Sequence, residues 1–319
     1  MFNLQIGPKK QDINYNETYD FIALGLGPAA LNAGLYAVRK GLKTLVVGKD
    51  FGGQLKNTSE VDNYLGFSLV DASFLIAKFK EHIDALEVPL LTDVLITKLE
   101  KVDDLFYISL DNGHILKSKT LLYAFGGNPR KLNVPGENLL SGRGISYCVT
   151  CDGPFYKDKD IVVAGGGNSA LDAALDLSRI AKSVTIIQRS VLRADKKSID
   201  AFNALPHGKV LLQTEILEFI GEDKLSGVKI RDKETGKESI YKADAAFIEI
   251  GNIPNTTLIK DLALLNEAGE VYVNEKQETN TKGLYAAGDI TINSHRQIII
   301  AAGDGAKAAL EAANYLNKK

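Results

Sequence analysis

Two glycine-punctuated strand–turn–helix patterns and a distant apolar strand ending in Gly288-Asp289 predict an α/β protein. Their order predicts two Rossmann-like units, the second inserted into the first. One pattern opens the chain, the other lies at its middle, and the Gly-Asp strand that would complete the first sheet follows both.

The first pattern begins with the apolar residues 21–24 and turns at Gly25-Leu26-Gly27-Pro28-Ala29-Ala30. It continues as a helix over residues 29–40 and returns as a strand over residues 44–47. This is a βαβ unit opening with G-x-G-x-x-A. Gly27 gives a pyrophosphate close access to the backbone at the positive end of the helix, and Ala30 permits tight packing. The acidic ribose ligand usual after such a returning strand is missing, because Val47, Gly48 and Lys49 stand there. The neighbouring Gly52-Gly53-Gln54-Leu55 is the candidate replacement.

The second pattern comprises a strand at residues 161–164, the turn Gly165-Gly166-Gly167-Asn168-Ser169-Ala170, a helix at 171–178 and a returning strand at 184–187. Two fingerprints imply two dinucleotides. An Asp or Glu after the returning strand would bind a free 2′-hydroxyl and repel a 2′-phosphate, but this chain has Gln188. Arg189 and Arg193 follow, and both can complement a phosphate dianion. The alternative is that they are solvated surface residues.

Downstream, Gly283-Leu284-Tyr285-Ala286-Ala287-Gly288-Asp289 reads as an apolar strand ending in a carboxylate, with a helical pattern from about Arg296 to Leu316. The N-terminus of that helix would stabilise negative charge on a reduced flavin, and Asp289 could accept a hydrogen bond from a ribitol hydroxyl. Alone, Gly-Asp is equally a simple turn. Two chain crossings must join the units. Gly126-Gly127 and Gly251-Asn252-Ile253-Pro254 supply them, each after an apolar strand pattern, 121–125 and 245–250. The predicted domains are a discontinuous one, 1–126 with 252–319, and an inserted one, 127–251.

The chain's two cysteines stand together in Cys148-Val149-Thr150-Cys151, followed by Asp152 and Gly153. A Cys-x-x-Cys beside dinucleotide units reads as a dithiol that exchanges electrons. Structural zinc would need four Cys or His ligands, and His82, His114, His207 and His295 are scattered along the chain. A purely structural disulfide is the other alternative, although so small a loop removes little chain entropy and makes a poor staple.

A length of 319 residues with 45% hydrophobic content allows about two well-filled domains. The net charge of -2, with both signs intermixed, gives no electrostatic case for nucleic acid or an anionic membrane. The polar amino terminus lacks a signal-peptide core, and no apolar run is long enough to span a bilayer. Cysteine poverty suits a reducing compartment, so a cytoplasmic location is expected.

Cys-Val-Thr-Cys-Asp-Gly, Gly-Gly-Gln-Leu, the paired fingerprints, Ala-Ala-Gly-Asp and Arg296-Gln297, in this order, resemble the low-molecular-weight thioredoxin reductases across nearly the whole chain. The resemblance implies an FAD-binding first domain, a second domain for NADPH or NADH that carries the cysteines, a homodimer, and a thioredoxin or thioredoxin-like partner. Gly25, Gly27, Pro28, Gly53, Gln54, Asn63, Asp289 and Gln297 match positions that hold FAD in that family, and Ala29, Val47, Gly52, Gly288 and Arg296 complete the expected set. Gly165, Gly167, Asn168, Ser169, Arg189 and Arg193 are the expected nicotinamide-nucleotide contacts. The resemblance implies that Cys151 is the flavin-proximal thiol, Cys148 the exchange nucleophile and Asp152 the adjacent acid/base; the alternative for Asp152 is a helix N-cap or turn residue.

Departures from the family pattern refine this. NADPH-dependent members carry His-Arg-Arg where this chain has Ile187-Gln188-Arg189, with the later Arg193 retained. NADPH is therefore expected over NADH, though less strongly, and ferredoxin is an alternative donor. Phe125 stands where the crossing usually has Thr. Three functions follow: a thioredoxin-type disulfide reductase, the flavoprotein component of a peroxiredoxin system, and a nucleotide-binding redox sensor without turnover. The second is disfavoured, since its full-length form carries an N-terminal thioredoxin-like region and only about twenty residues precede the first strand here.

Overall fold

The computed structural model describes residues 13–292 and 295–318. The chain divides into two compact units, Met1–Asn128 with Ile253–Lys319, and Pro129–Asn252.

In the first unit, Thr18–Leu24 lies between Thr44–Val47 and Ile115–Tyr123 and runs parallel to both, with Leu24 level with Val47 on one side and Tyr123 on the other. Successive residues feed opposite faces of the sheet. Ile22 and Leu24 pack with Leu45, Val47, Leu121 and Tyr123, whereas Phe21 and Ala23 pack with alanines of the helices Pro28–Arg39 and Ile298–Leu316. Burial on both faces is why this strand reads as an uninterrupted apolar run. Ile115–Tyr123 is shared along its length. Its first half pairs antiparallel with Leu105–Leu110, which continues to Ile96–Val102, and its second half pairs parallel with Leu284–Ala286. With Leu90–Leu91 parallel to Thr44–Val47 on the far side, five parallel strands end on one sheet edge, the edge at which open α/β sheets bind ligands.

Helix Pro28–Arg39 opens with proline, whose missing N–H costs nothing there, and closes at Gly41 in a left-handed conformation (φ +74°). It packs on Ile298–Leu316 through small residues. A Cβ on Gly305 would stand 1.9 Å from the Ala29 carbonyl oxygen, so the two backbones touch at that point.

The second unit is a parallel sheet in the order Ile145–Ser146, Ala245–Ile248, Asp160–Ala164, Ser183–Ile187, Gly208–Leu211. Val162 and Ala164 face a core shared with the antiparallel sheet formed by Thr214–Gly221, Leu225–Asp232 and Glu238–Lys242. Ile161 and Val163 face the helix Asn168–Ser178.

Gly126 and Gly251 both take left-handed backbone, at φ +61° and +105°. Beside them the segments Gly127–Pro129 and Asn252–Pro254 pair as a two-stranded ribbon. Several predicted boundaries shift for local reasons. Left-handed backbone at Gly283 and Gly288 trims the predicted 283–289 strand to Leu284–Ala286. Extended backbone at Gln297 delays the last helix to Ile298. The strand predicted at 121–125 begins already at Ile115, because its polar residues pair with Thr18 and Tyr19 through the backbone. Phe125, unexplained by the sequence, packs its ring edge-on against Tyr123 with centroids 4.8 Å apart. No helix among the described residues is long and apolar enough to cross a membrane.

Candidate active site

At the sheet edge of the first unit, Gly25 has φ +115°, and an added Cβ would stand 2.4 Å from the Ala124 carbonyl oxygen. Only glycine fits there. Gly27 is the N-cap of Pro28–Arg39 and supplies no side-chain cap, so the first N–H groups of the helix point outward without a capping side chain. A Cβ on Gly27 would meet only Gly53 Cα, at 3.9 Å. The Gly52-Gly53 turn (φ +96° and +57°) is tied to this loop by the Gly52 N–H, which donates to the Leu26 carbonyl at 2.8 Å. Gln54 extends the same surface, with its amide nitrogen 4.0 Å from the position a Gly126 Cβ would take. Val47 is buried at the sheet edge below.

Strand Leu284–Ala286 brings Gly288 to within 3.4 Å of Ala29 and Ala301, measured from its would-be Cβ, and delivers Asp289 to the same edge. Burial pushes the Asp289 carboxyl up, the Arg296 guanidinium draws it down, and Asp304 adds to the rise. Arg296 itself donates to Glu270 at 2.9 Å, a partner no motif signalled. Asn63 donates to the Gln297 side-chain oxygen at 3.1 Å, joining two predicted site residues 234 positions apart. The structure thus brings Gly27 to Gly53 and Gly288 to Ala29, joins Asn63 to Gln297, and directs Arg296 into an ion pair.

The second unit repeats the backbone geometry. Gly165 has φ +143°, and an added Cβ would lie 2.3 Å from the Glu249 carbonyl oxygen. Gly167 caps Asn168–Ser178 without a side chain, and nothing lies within 4 Å of its would-be Cβ. Gln188 is buried and fills the space behind Gly166, 2.7 Å from where a Cβ would be. Its amide donates to Ser190 Oγ (3.3 Å) and the Val191 carbonyl (3.1 Å), while its oxygen accepts the Arg189 N–H (3.2 Å). Gln188 is thus a brace for the loop that follows it. Arg193 N–H donates to the Gly166 carbonyl at 2.7 Å, and Asn168 Oδ1 accepts the Asp195 N–H at 2.7 Å, so the loop is pinned to the glycine turn. Ser169, Arg189 and Arg193 are exposed. Lys233 Nζ donates to the Arg189 carbonyl at 3.2 Å and adds a cation that sequence reasoning missed.

Cys148 and Cys151 form a disulfide, with Cα atoms 5.3 Å apart and both residues half-buried. Cys148 is the N-cap of the single turn Val149–Asp152, and its Sγ accepts the Cys151 N–H at 3.2 Å. Asp152 makes no side-chain cap of its own; its carboxylate accepts from Ser146 Oγ at 2.6 Å. Asp152 thus stands at the N-cap position of the turn Gly153–Tyr156 with its carboxylate on the Ser146 hydroxyl. Ser146 also accepts the Cys148 N–H at 3.0 Å. Glu137 is buried and fully used: it accepts from Leu132 N–H, Asn133 N–H and the Tyr147 hydroxyl, the last at 2.9 Å. Burial and that carboxylate push the Tyr147 phenol well above its ordinary range, so it stays a donor beside Cys148. Neither Ser146 nor Glu137 belongs to a periodic or spaced motif, which is why the sequence did not single them out.

Two glycine cradles and a half-buried disulfide on one chain define a disulfide oxidoreductase of the nucleotide-dependent kind. The pyridine nucleotide-disulphide oxidoreductase family matches over residues 19–305, and the chain belongs to that family. Among curated relatives, a component of the alkyl hydroperoxide reductase of Staphylococcus aureus (strain Mu50 / ATCC 700699) is 38% identical over 301 residues, covering 94% of this chain and 59% of the relative. The chain thus spans about three fifths of the length of the curated relatives it matches. Among solved structures, thioredoxin reductase from Streptococcus pyogenes MGAS5005 superposes with a TM-score of 0.90 at 33% identity, covering 95% of this chain and 100% of the other. A ferredoxin-flavin thioredoxin reductase from Clostridium acetobutylicum is 28% identical with a TM-score of 0.53, covering 95% and 98%. The fold is that of the low-molecular-weight thioredoxin reductases.

Proposed function

We propose that this chain is an FAD-dependent disulfide reductase that passes electrons from a nicotinamide nucleotide, NADPH in preference to NADH, through Cys148 and Cys151 to a thioredoxin-like protein. We further propose that it acts as a homodimer in the cytoplasm, by analogy with the family it resembles. The observation that carries the reading is the half-buried Cys148–Cys151 disulfide with the Asp152 carboxylate in the same turn.

FAD fits the first unit on two grounds. The helix at Gly27 has no capping side chain, and a Cβ there would project into open space of the kind a pyrophosphate occupies. Asp289 supplies an acceptor for a ribitol hydroxyl at the same edge. When bound, FAD would take the two electrons of a hydride and deliver them to a disulfide. A nicotinamide nucleotide would lie on Gly165, Gly167 and the start of Asn168–Ser178, with Arg189 and Arg193 as partners for a 2′-phosphate.

The rest is the chain's own chemistry. Two electrons break the Cys148–Cys151 bond and leave a thiolate on each sulfur, and Asp152 gives a proton to one of them. Cys148 attacks the acceptor's disulfide and expels one acceptor thiolate. Cys151 then attacks the mixed disulfide at Cys148, releasing the reduced acceptor and restoring the bond, while Asp152 takes a proton back.

The 38% identity to the staphylococcal alkyl hydroperoxide reductase component supports a second acceptor, a thioredoxin-like domain that serves a peroxiredoxin. Steady-state turnover with NADPH, NADH and reduced ferredoxin, each with a thioredoxin and with a peroxiredoxin plus its thioredoxin-like carrier, tests both readings. NADPH with thioredoxin should turn over fastest. No turnover with either nucleotide would move the donor to ferredoxin, and turnover confined to the peroxiredoxin arm would reassign the acceptor.

A further inference from the structure

Ser146 is only 3% exposed and sits at the end of the short strand Ile145–Ser146, directly before the redox turn. A hydroxyl has one proton to give and two lone pairs to share. One lone pair of Ser146 Oγ is taken by the Cys148 N–H at 3.0 Å. The proton has two acceptors within reach, Asp152 Oδ2 at 2.6 Å and the Cys148 carbonyl at 3.3 Å. While Asp152 is ionised, the shorter, charge-assisted bond to the carboxylate wins. Once Asp152 carries a proton, its own O–H can donate to the second lone pair of Ser146, and the serine proton turns to the Cys148 carbonyl.

We propose that Ser146 is a positioning residue, a hydroxyl rotor that partners Asp152 in both of its protonation states and ties each state to the backbone of Cys148. The inference rests on the acid/base role proposed above for Asp152. In the reductive step the proton leaves Asp152 oxygen for the departing cysteine sulfur, an S–H bond forms, and a carboxylate remains. Ser146 O–H swings from the Cys148 carbonyl to that carboxylate, and in the reverse step it swings back. Among the described residues, the two cysteines share its turn, and Tyr156 faces Asp152 with a phenol pushed up first by burial and then by Asp152. Tyr156 therefore stays protonated and does not switch.

The test uses the FAD-loaded full chain and the pH dependence with which dithiothreitol reduces Cys148–Cys151, itself becoming a cyclic disulfide. Rates are divided by the thiolate fraction of dithiothreitol. The wild-type profile should fall through one ionisation that Asp152→Asn removes. Ser146→Ala deletes a donor to the charged form, so that ionisation should move up by about one pH unit. Ser146→Thr keeps a hydroxyl and should restore the wild-type profile, and it guards against misfolding of the alanine variant. Superimposable profiles for wild type and Ser146→Ala would overturn the rotor, as would an upward shift of equal size in Ser146→Thr. An Asp152→Asn profile identical to wild type would overturn the acid/base role of Asp152 and the rotor with it.

Discussion

The two glycine turns share a shape and differ in what holds them. Gly25 and Gly165 both take left-handed backbone, and at each an added Cβ would drive into the carbonyl oxygen at a neighbouring strand end, Ala124 or Glu249. Beyond that point they diverge. The first turn is closed by backbone against backbone, where a Cβ on Gly53 would stand 2.9 Å from Gly27 Cα, with Gly288 set against Ala29. The second is braced by side chains, Gln188 behind Gly166 and Asn168 on the Asp195 N–H. Backbone closure tolerates no side chain at Gly25 or Gly53, whereas side-chain bracing can be exchanged without moving the frame. One site is therefore fixed in shape, and the other has an adjustable specificity loop on a fixed base.

The largest effect should come from breaking both frames in parallel. Gly25→Val and Gly165→Val each combine an unfavourable φ with a collision and should destabilise by about 3 kcal/mol or more. Flavin absorbance per chain and thermal unfolding distinguish them: Gly25→Val should purify without FAD, and Gly165→Val should keep FAD and lose nucleotide binding. Equal flavin loss in both would erase the distinction between the two sites.

Gly27→Val separates shape from ligand. The backbone there is ordinary (φ -84°) and the space open, so the FAD-free fold should survive with a change below about 1 kcal/mol while flavin content falls to near zero. Retention of a full complement of FAD would show that the turn binds something else.

The adjustable loop is sharpened by Arg189→Ala combined with Arg193→Ala. Each charge-assisted hydrogen bond is worth about 1.5–3 kcal/mol, so the NADPH Michaelis constant should rise by roughly tenfold or more, and that for NADH should hardly change. Equal losses for both coenzymes would mean that the arginines support the fold. Lys233, bonded to the Arg189 carbonyl, should leave part of the NADPH preference in place.

The smallest effect concerns Asp289. Its folded-state titration lies above the ordinary Asp value of 3.8, chiefly through burial, so the folded chain takes up that proton before the unfolded chain does. Ionised Asp289 is then a cost to the FAD-free protein at neutral pH. Asp289→Asn should melt above wild type at pH 7, and the two should converge as the pH falls below 3.8. A gap that persists in acid would assign the difference to packing.

Much of this was legible in the residues. The glycine turns, the crossings at Gly126 and Gly251 and the Cys148–Cys151 pair all show as local spacing, because each answers to backbone geometry or to a bond over three positions. The antiparallel strands between Ile96 and Ser118 and those of Thr214–Lys242 carry no such local signal. Their pairing lies outside any chemical motif, and exposed Val102, Ile115 and Ile240 blur the alternation of buried and exposed residues. Ser146, Glu137 and Lys233 were missed for a related reason: each acts through a side-chain hydrogen bond whose partner is fixed by the fold and leaves no periodic trace. In the sequence Gln188 signals only the carboxylate it lacks, while its role as a brace depends on the absence of a Cβ at Gly166.

The central claim is that electrons entering this chain pass through its one disulfide, and counting thiols tests it most directly. FAD-loaded protein held without oxygen is alkylated before and after addition of NADPH or NADH, and the modified cysteines are identified by mass. The account predicts no modification of Cys148 and Cys151 before addition and modification of both afterwards, since their bond is the acceptor inside the molecule. Flavin that bleaches on addition of nucleotide while Cys148 and Cys151 remain joined would contradict it.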